Sequence, residues 1–160
     1  MAQNITPNSP FPGKFASWTV AATGSATSPV GTYSATSGPD STPGLTLSAT
    51  GTSGGVEAQH TVSAVPADAG VMHVSVNLKA SSATPDCTPI QVKFLDANGN
   101  TVVTATPYAN AAAVTSNTQY DASIAVPYGA ASAVVTLGYL NWSSTGGYTT
   151  VMAAPAVYFL

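Results

Sequence analysis

From Val71 to Ala80 the chain alternates without a break: Met72, Val74, Val76 and Leu78 fall on one side of an extended strand, His73, Ser75, Asn77 and Lys79 on the other. A period of two sends successive side chains to opposite faces of a sheet, so this segment predicts a strand with one buried and one wet face. The same period returns at Leu45, Leu47 and Ala49, at Ile90, Val92 and Phe94, at Ile124 and Val126, at Val135, Leu137 and Tyr139, and in the closing run Ala156 to Leu160. Clusters of Gly, Pro, Asn and Ser separate the runs, which is the punctuation of successive antiparallel strands. Asp96-Ala97-Asn98-Gly99-Asn100, between two apolar runs, predicts a tight hairpin. Ten or eleven strands are expected and no helix, since Ala111-Ala112-Ala113 has the composition for one turn but neither the length nor the amphipathic spacing for more. Regular strands with Gly/Pro punctuation argue for an all-β domain, a two-sheet antiparallel jelly-roll β-sandwich.

A chain of 160 residues is the size of one domain and buries roughly 68–70% of its unfolded surface, enough to stand on one core without metal or disulfide. Its single cysteine, Cys87, has no internal partner. No run approaches the roughly 18 apolar residues of a membrane-spanning helix, and the opening Met-Ala-Gln-Asn-Ile-Thr-Pro lacks the basic start and apolar stretch of an export signal. Three lysines, no arginine and six acidic residues leave only 6% of the chain charged, against about 25% in an ordinary domain. Ser and Thr, a quarter of the chain, must wet its surface instead. Lys14, Lys79 and Lys93 lie too far apart for a phosphate-binding patch, so neither nucleic acid nor an anionic membrane is an expected partner. A weakly charged surface opposes self-association poorly, which makes packing against identical or larger neighbours, a homo-oligomer included, an expectation.

Residues 1–14 hold Pro7, Pro10 and Pro12, beside Phe11, and read as an extended arm, with the sandwich domain running over 15–160. The order of these signals resembles the carbohydrate-binding modules of the family 4/9 type, jelly rolls also found as accessory domains on bacteriophage virions. The resemblance is carried by Asn4 to Phe11 followed by Trp18, by the strand Val71–Ala80 with Ser81-Ser82, by Val92 to Asn100, by Ile124 to Ala133, and by the closing strand. It implies the fold and, less directly, sugar binding. The chain has Met152-Ala153-Ala154-Pro155 where that family usually carries aspartates, so no structural calcium site is expected.

Gly51-Thr52-Ser53-Gly54-Gly55 matches G-x-S-x-G, but no helix follows to make a nucleophile elbow and both histidines come after Ser53, so a flexible Gly/Ser loop is the expectation. His60 and His73 have no neighbouring ligand at a metal-binding spacing and are expected at the surface. Asp96 to Asn100 opens like an EF-hand loop, yet the downstream glutamate is missing and the Asn-Gly turn accounts for it. Glu57 and the five aspartates form no close sequence pair for glycoside hydrolysis. No enzyme, cofactor or metal is therefore expected, and the sequons at Asn4 and Asn141 read as chance. The richest aromatic segment, Tyr139 to Tyr148, carries Tyr139, Asn141, Trp142 and Tyr148, either as a glycan platform at a sandwich edge or as rings packed in the core or a subunit interface. Trp18 is expected to be mostly buried.

Two functions are expected from these features. The first is a bacteriophage virion protein, a capsid decoration or cement protein attached to the major capsid protein and to neighbouring copies through Pro7, Pro10, Phe11, Pro12 and the sheet edges, and located on the particle surface. The alternative is a carbohydrate-binding module or tail-fibre adhesin that recognises a host-surface glycan through Tyr139, Asn141, Trp142 and Tyr148.

Overall fold

The alternating runs all become strands, and what the sequence leaves open is which strands lie side by side. A computed structural model of the chain describes residues 3–4, 15, 17–109, 111–143 and 148–160. Its strands are β1 (Gln3–Asn4), β2 (Thr19–Thr23), β3 (Thr27–Ser34), β4 (Gly44–Thr50), β5 (Gly54–Val62), β6 (Val71–Ala80), β7 (Asp86–Leu95), β8 (Thr101–Ala105), β9 (Ala111–Ala112), β10 (Thr118–Ala125), β11 (Ser132–Trp142) and β12 (Thr149–Phe159). They form two antiparallel sheets in a sandwich. The first runs β10-β6-β12-β4-β3 with β1 against the end of β12, and the second runs β2-β5-β11-β7-β8 with β9 against β7. From β4 to β7 each connection crosses between the sheets, so sequence neighbours face each other across the core instead of pairing.

The core is the set of residues that the period of two turns inward. Met72, Val74, Val76 and Leu78 meet Val56, Val92, Phe94, Val135, Leu137 and Leu140, all within 2% of full burial. Each such side chain contributes about 1.5–3 kcal/mol relative to exposure, which makes this layer the main stabilising feature. Trp18 is buried at the end of the core. Gly31 closes one side of the sandwich: a Cβ there would lie 2.8 Å from a Val20 methyl, so only a glycine lets β3 come this close to β2.

Three local expectations change. Ala111-Ala112 is the short strand β9, paired with Cys87 and Asp86 of β7, not a helical turn. His60 is buried, not on the surface, because its place in β5 points inward with Ala58 and Val62; its ring lies 5.3 Å from Trp18 and its Nδ1 is 3.1 Å from the Ser17 carbonyl oxygen. The Gly51 to Gly55 segment is a packed turn, since a Cβ on Gly54 would strike the Thr23 carbonyl and come within 2.6 Å of the Ala26 nitrogen. The predicted hairpin forms between β7 and β8, with the Asp96 carboxylate accepting hydrogen bonds at 2.8 Å from the amides of both Asn98 and Asn100. Of the N-terminal arm, Gln3 and Asn4 pair with Phe159 and Tyr158, while Pro7, Pro10, Phe11 and Pro12 lie outside the described residues.

Candidate functional site

Strict alternation along β11 would place Tyr139 in the core, as its sequence grouping with Val135 and Leu137 implies. The strand breaks that rule at Gly138, which adopts a φ of +64°. Its pairing with β5 slips between Leu137 and Leu140, so three positions along β11 span two along β5. Gly138 takes up the extra inward position: a Cβ on it would sit 3.1 Å from Leu78 and 3.3 Å from Thr150, side chains of the opposite sheet. Tyr139 is thereby turned to the outer face, three residues after Thr136 instead of two or four. β7 makes the matching irregularity, with Cys87 and Ile90 both buried and Thr88 and Gln91 outward around a buried Pro89. Bulges commonly re-aim a side chain in this way beside functional sites.

The two irregular strands, with β5 and β2, enclose a cleft of about 270 Å³ on the outer face of the second sheet, lined by Thr23, Glu57, Thr88, Gln91, Thr136 and Tyr139. The Tyr139 ring lies over Gly55, where a Cβ would fall 2.5 Å from its Cε2, so a glycine makes room for the ring at the floor of the cleft. Gln59 donates a hydrogen bond to Glu57 Oε1 at 2.5 Å. Burial pushes the Glu57 carboxyl above its usual range, against the smaller opposing effects of the Gln59 hydrogen bond and the Lys93 ammonium. The Thr23 hydroxyl, at the margin of the cleft, is buried without a hydrogen-bond partner among the described residues. Hydroxyls, an amide, one carboxyl and the flat face of one ring offer hydrogen bonds and stacking to a neutral polar molecule.

Of the four aromatic-segment residues named from sequence, the structure brings two to this face and keeps two away. Tyr139 lines the cleft, and Asn141 is exposed on the same side, opposite Gly55 and Asp86. Trp142 points inward and is 4% exposed, its Nε1 donating to the Gly51 carbonyl oxygen at 3.4 Å. Tyr148 packs edge-on against it, the ring centroids 5.9 Å apart. The four do not form one platform, because the sheet itself separates Tyr139 from Trp142. Thr23, Glu57, Thr88, Gln91 and Thr136 were not anticipated. The usable signals were Gly138 and Pro89 inside runs that otherwise read as strands, since both residues mark bulges in strand interiors.

The other polar clusters are less suited to binding or chemistry. On the outer face of the first sheet His73 stands between Ser123 (Nδ1 to Oγ, 3.3 Å) and Asp121 (Nε2 to Oδ2, 3.1 Å), and stacks on Tyr158 with centroids 4.6 Å apart. These are cross-strand pairs of β6 and β10, with the Asp121 side chain half exposed. Among the described residues no three His, Cys, Asp or Glu side chains come together as a metal site. Burial pushes the Cys87 thiol up to about 11, which leaves it protonated and unreactive.

No protein-family model and no curated protein matches the chain. Solved structures do. The enzymatically active domain of tailspike protein 4 from bacteriophage CBA120 superposes with a TM-score of 0.67 at 17% identity, over 91% of this chain and 20% of that one. A carbohydrate-binding module of the β-sandwich superfamily gives 0.65 at 12% identity, over 88% of this chain and 56% of that one. The CBM22-1 xylan-binding domain of Paenibacillus barcinonensis Xyn10C gives 0.58 at 15% identity, over 99% of this chain and 92% of that one. The chain thus spans a fifth of the tailspike domain but nearly the whole of the xylan-binding domain. Its fold is an all-β, two-sheet jelly-roll sandwich, similar to that of these carbohydrate-binding modules.

Proposed function

We propose that the chain is a non-catalytic carbohydrate-binding module whose site for a neutral glycan is the cleft around Tyr139. The observation that carries this reading is the paired irregularity of β7 and β11, which turns a ring, an amide and two hydroxyls toward one cleft on the outer face of the second sheet. Tyr139 stacks on a sugar ring, Gln91, Thr88 and Thr136 hydrogen-bond its hydroxyls, and Glu57 accepts from them. The near-absence of charge fits a ligand without charge. Calorimetric titration with xylohexaose and with a β-1,3-1,4-mixed-linked tetrasaccharide, two glycans bound by neighbours in fold, tests it. Tyr139→Ala and Gln91→Ala are each expected to weaken binding about tenfold, the loss of one stacking or hydrogen-bonding contact. Binding unchanged in both variants, or no binding of any neutral glycan by the wild-type chain, overturns the reading.

The likeness to a tailspike domain supports a narrower version, in which the module serves a phage receptor-binding protein and its glycan lies on a bacterial surface. Attachment of the labelled protein to host cells, abolished by Tyr139→Ala, is the expected result. Capsid decoration through the N-terminal arm, the first expectation from sequence, draws no support from the neighbours named above, and its arm residues lie outside the described ones.

A further inference from the structure

At one end of the sandwich two connections carry the same short pattern. Ala64-Val65-Pro66-Ala67-Asp68-Ala69 follows β5, and Ala125-Val126-Pro127-Tyr128-Gly129-Ala130 ends β10 and leads to β11. Each closes the same turn, Ala69 N–H donating to the Pro66 carbonyl at 3.1 Å and Ala130 N–H to the Pro127 carbonyl at 3.2 Å. The two connections are tied together through Val65 N–H, which donates to the Ala131 carbonyl at 3.0 Å. Between them lies a cleft of about 520 Å³ lined by Val65, Pro66, Ala69, Val126, Pro127 and Tyr128 among others.

Tyr128 is the unusual member, its side chain fully exposed. The ring is held out by rigid backbone: Pro127 fixes the residue before it, and Gly129 follows at a φ of +84°. A ring so placed is covered by no side chain among the described residues. Apart from the Tyr128 hydroxyl, every side chain in the lining is apolar and none is ionisable, and the Val65, Ala69, Val126 and Ala130 amides already donate within the protein, so the other groups the cleft offers a hydroxyl are chiefly backbone carbonyls. That lining disfavours ions and anionic polymers. The volume lies within the few hundred to about 1,000 Å³ of small-ligand sites. A neutral molecule with apolar C–H faces and a rim of hydroxyls satisfies the ring, the apolar walls and the backbone groups together.

We propose that this cleft is a second glycan-binding subsite, in which Tyr128 stacks on a neutral sugar ring that the two Val-Pro turns flank. The choice of ligand class rests on the carbohydrate reading above, whereas the site is separate from the Tyr139 cleft. It adds a second hold on one long glycan or on two neighbouring chains, which raises avidity without any change in the sheet-face site.

The test is NMR of the full chain with ring-labelled tyrosines, titrated with xylohexaose and with the mixed-linked tetrasaccharide to millimolar concentration. Seven tyrosines give a resolvable set, assigned with Tyr128→Phe and Tyr139→Phe. Saturable shifts of the Tyr128 ring are expected, and calorimetry in the Tyr139→Ala background, where this subsite alone is left, is expected to read an affinity about tenfold lower once Tyr128→Ala is added. A Tyr128 response that persists in Tyr139→Ala shows that the two sites are independent. If Tyr139 shifts and Tyr128 does not, the second subsite is overturned and the first stands. If Tyr128 alone responds, the second subsite stands and the sheet-face reading fails. Silence at both rings overturns both. Tyr128 shifts that follow protein concentration without sugar identify a second copy of the chain as the occupant and also overturn the proposal.

Discussion

Replacing three glycines by alanine separates the two constraints that build the bulge of β11. A Cβ on Gly70 would meet no atom within 4 Å, and its backbone is not left-handed; Gly99 has open space but a φ of +82°; Gly138 combines a φ of +64° with Leu78 and Thr150 at 3.1 and 3.3 Å. Gly70→Ala is expected to be neutral or to stabilise by about 0.4–1 kcal/mol through the unfolded chain. Gly99→Ala meets only the left-handed penalty of about 1–2 kcal/mol. Gly138→Ala adds to that penalty the cost of pushing two core side chains aside, for which overpacking costs about 1–3 kcal/mol, so its total is about 2–5 kcal/mol. In a chain of this length each kcal/mol lowers Tm by about 2–4 °C. Urea unfolding followed by the fluorescence of buried Trp18 and Trp142, with Tm from circular dichroism, ranks the three. A Gly138→Ala loss no larger than that of Gly99→Ala refutes the claim that the opposite sheet requires a glycine here. The same variant is expected to bind neutral glycans more weakly, since Tyr139 must move with its neighbour.

Other outcomes follow from individual side chains. Trp142→Ala is expected to cost about 3–5 kcal/mol, as for a large buried ring, and a loss under about 1 kcal/mol in urea unfolding refutes its place in the core. Cys87, with its thiol pushed up to about 11, is expected to stay unmodified by a thiol reagent at mildly alkaline pH until the chain is unfolded; rapid labelling of the native protein contradicts its burial. The Asp96 carboxyl is held below its usual range chiefly by hydrogen bonds from the Asn100 amide and side chain. Its contribution is therefore present above the ordinary aspartate range and lost as pH falls through the lowered native value, so exchange protection of the Asn98 and Asn100 amides should drop in acid, and a flat profile there argues against the cap. Glu57 has the opposite sign, since its raised value favours the folded state in acid and that gain disappears as pH rises through it. Glu57→Gln is expected to flatten this part of the stability profile, and an unchanged profile shows that the carboxyl is not desolvated.

The strands were legible because the period of two is local: Val71–Ala80 and the Asp96–Asn100 turn need no information beyond their own residues. The partners of those strands were not, since β11 lies between β5 and β7, whose nearest residues in the chain are 37 or more positions away, and nothing in a single sequence encodes that register. His60 was misplaced for a related reason. Its polarity suggests the surface, but its strand position points it at Trp18, and tertiary packing outweighs the preference of one ring. The aromatic segment reads as one group in the sequence, and the structure splits it between two faces, because one glycine reverses the facing of Tyr139 relative to Leu137.

Composition alone does not choose between the two outer faces of this sandwich. Both are wetted by hydroxyls and amides: Ser75, Asn77 and Ser123 on the first sheet, Gln59, Gln91 and Thr136 on the second. Hydroxyls of this kind hydrogen-bond water or sugar equally well, so their presence is no evidence of a site. Both sheets also carry irregular strands, the first in β12 between Ala153 and Ala156 and in β3 between Thr27 and Val30, and what differs is which polar groups are gathered around them. On the first sheet β6 and β10 pair in regular register over eight residues, and His73, Asp121 and Ser123 spend their polar groups on one another. On the second, Pro89 and Gly138 bring polar groups three residues apart around a recess, with the Tyr139 ring at its floor and the Thr23 hydroxyl at its margin without a partner among the described residues. Groups bonded to one another must break that bond to take a ligand, whereas Thr88 and Gln91 stand partly exposed at the recess. Recognition on a nearly uncharged surface is therefore set by a departure from regularity that gathers polar groups around a recess, which is why the substitutions expected to matter most for binding include a glycine that touches no ligand.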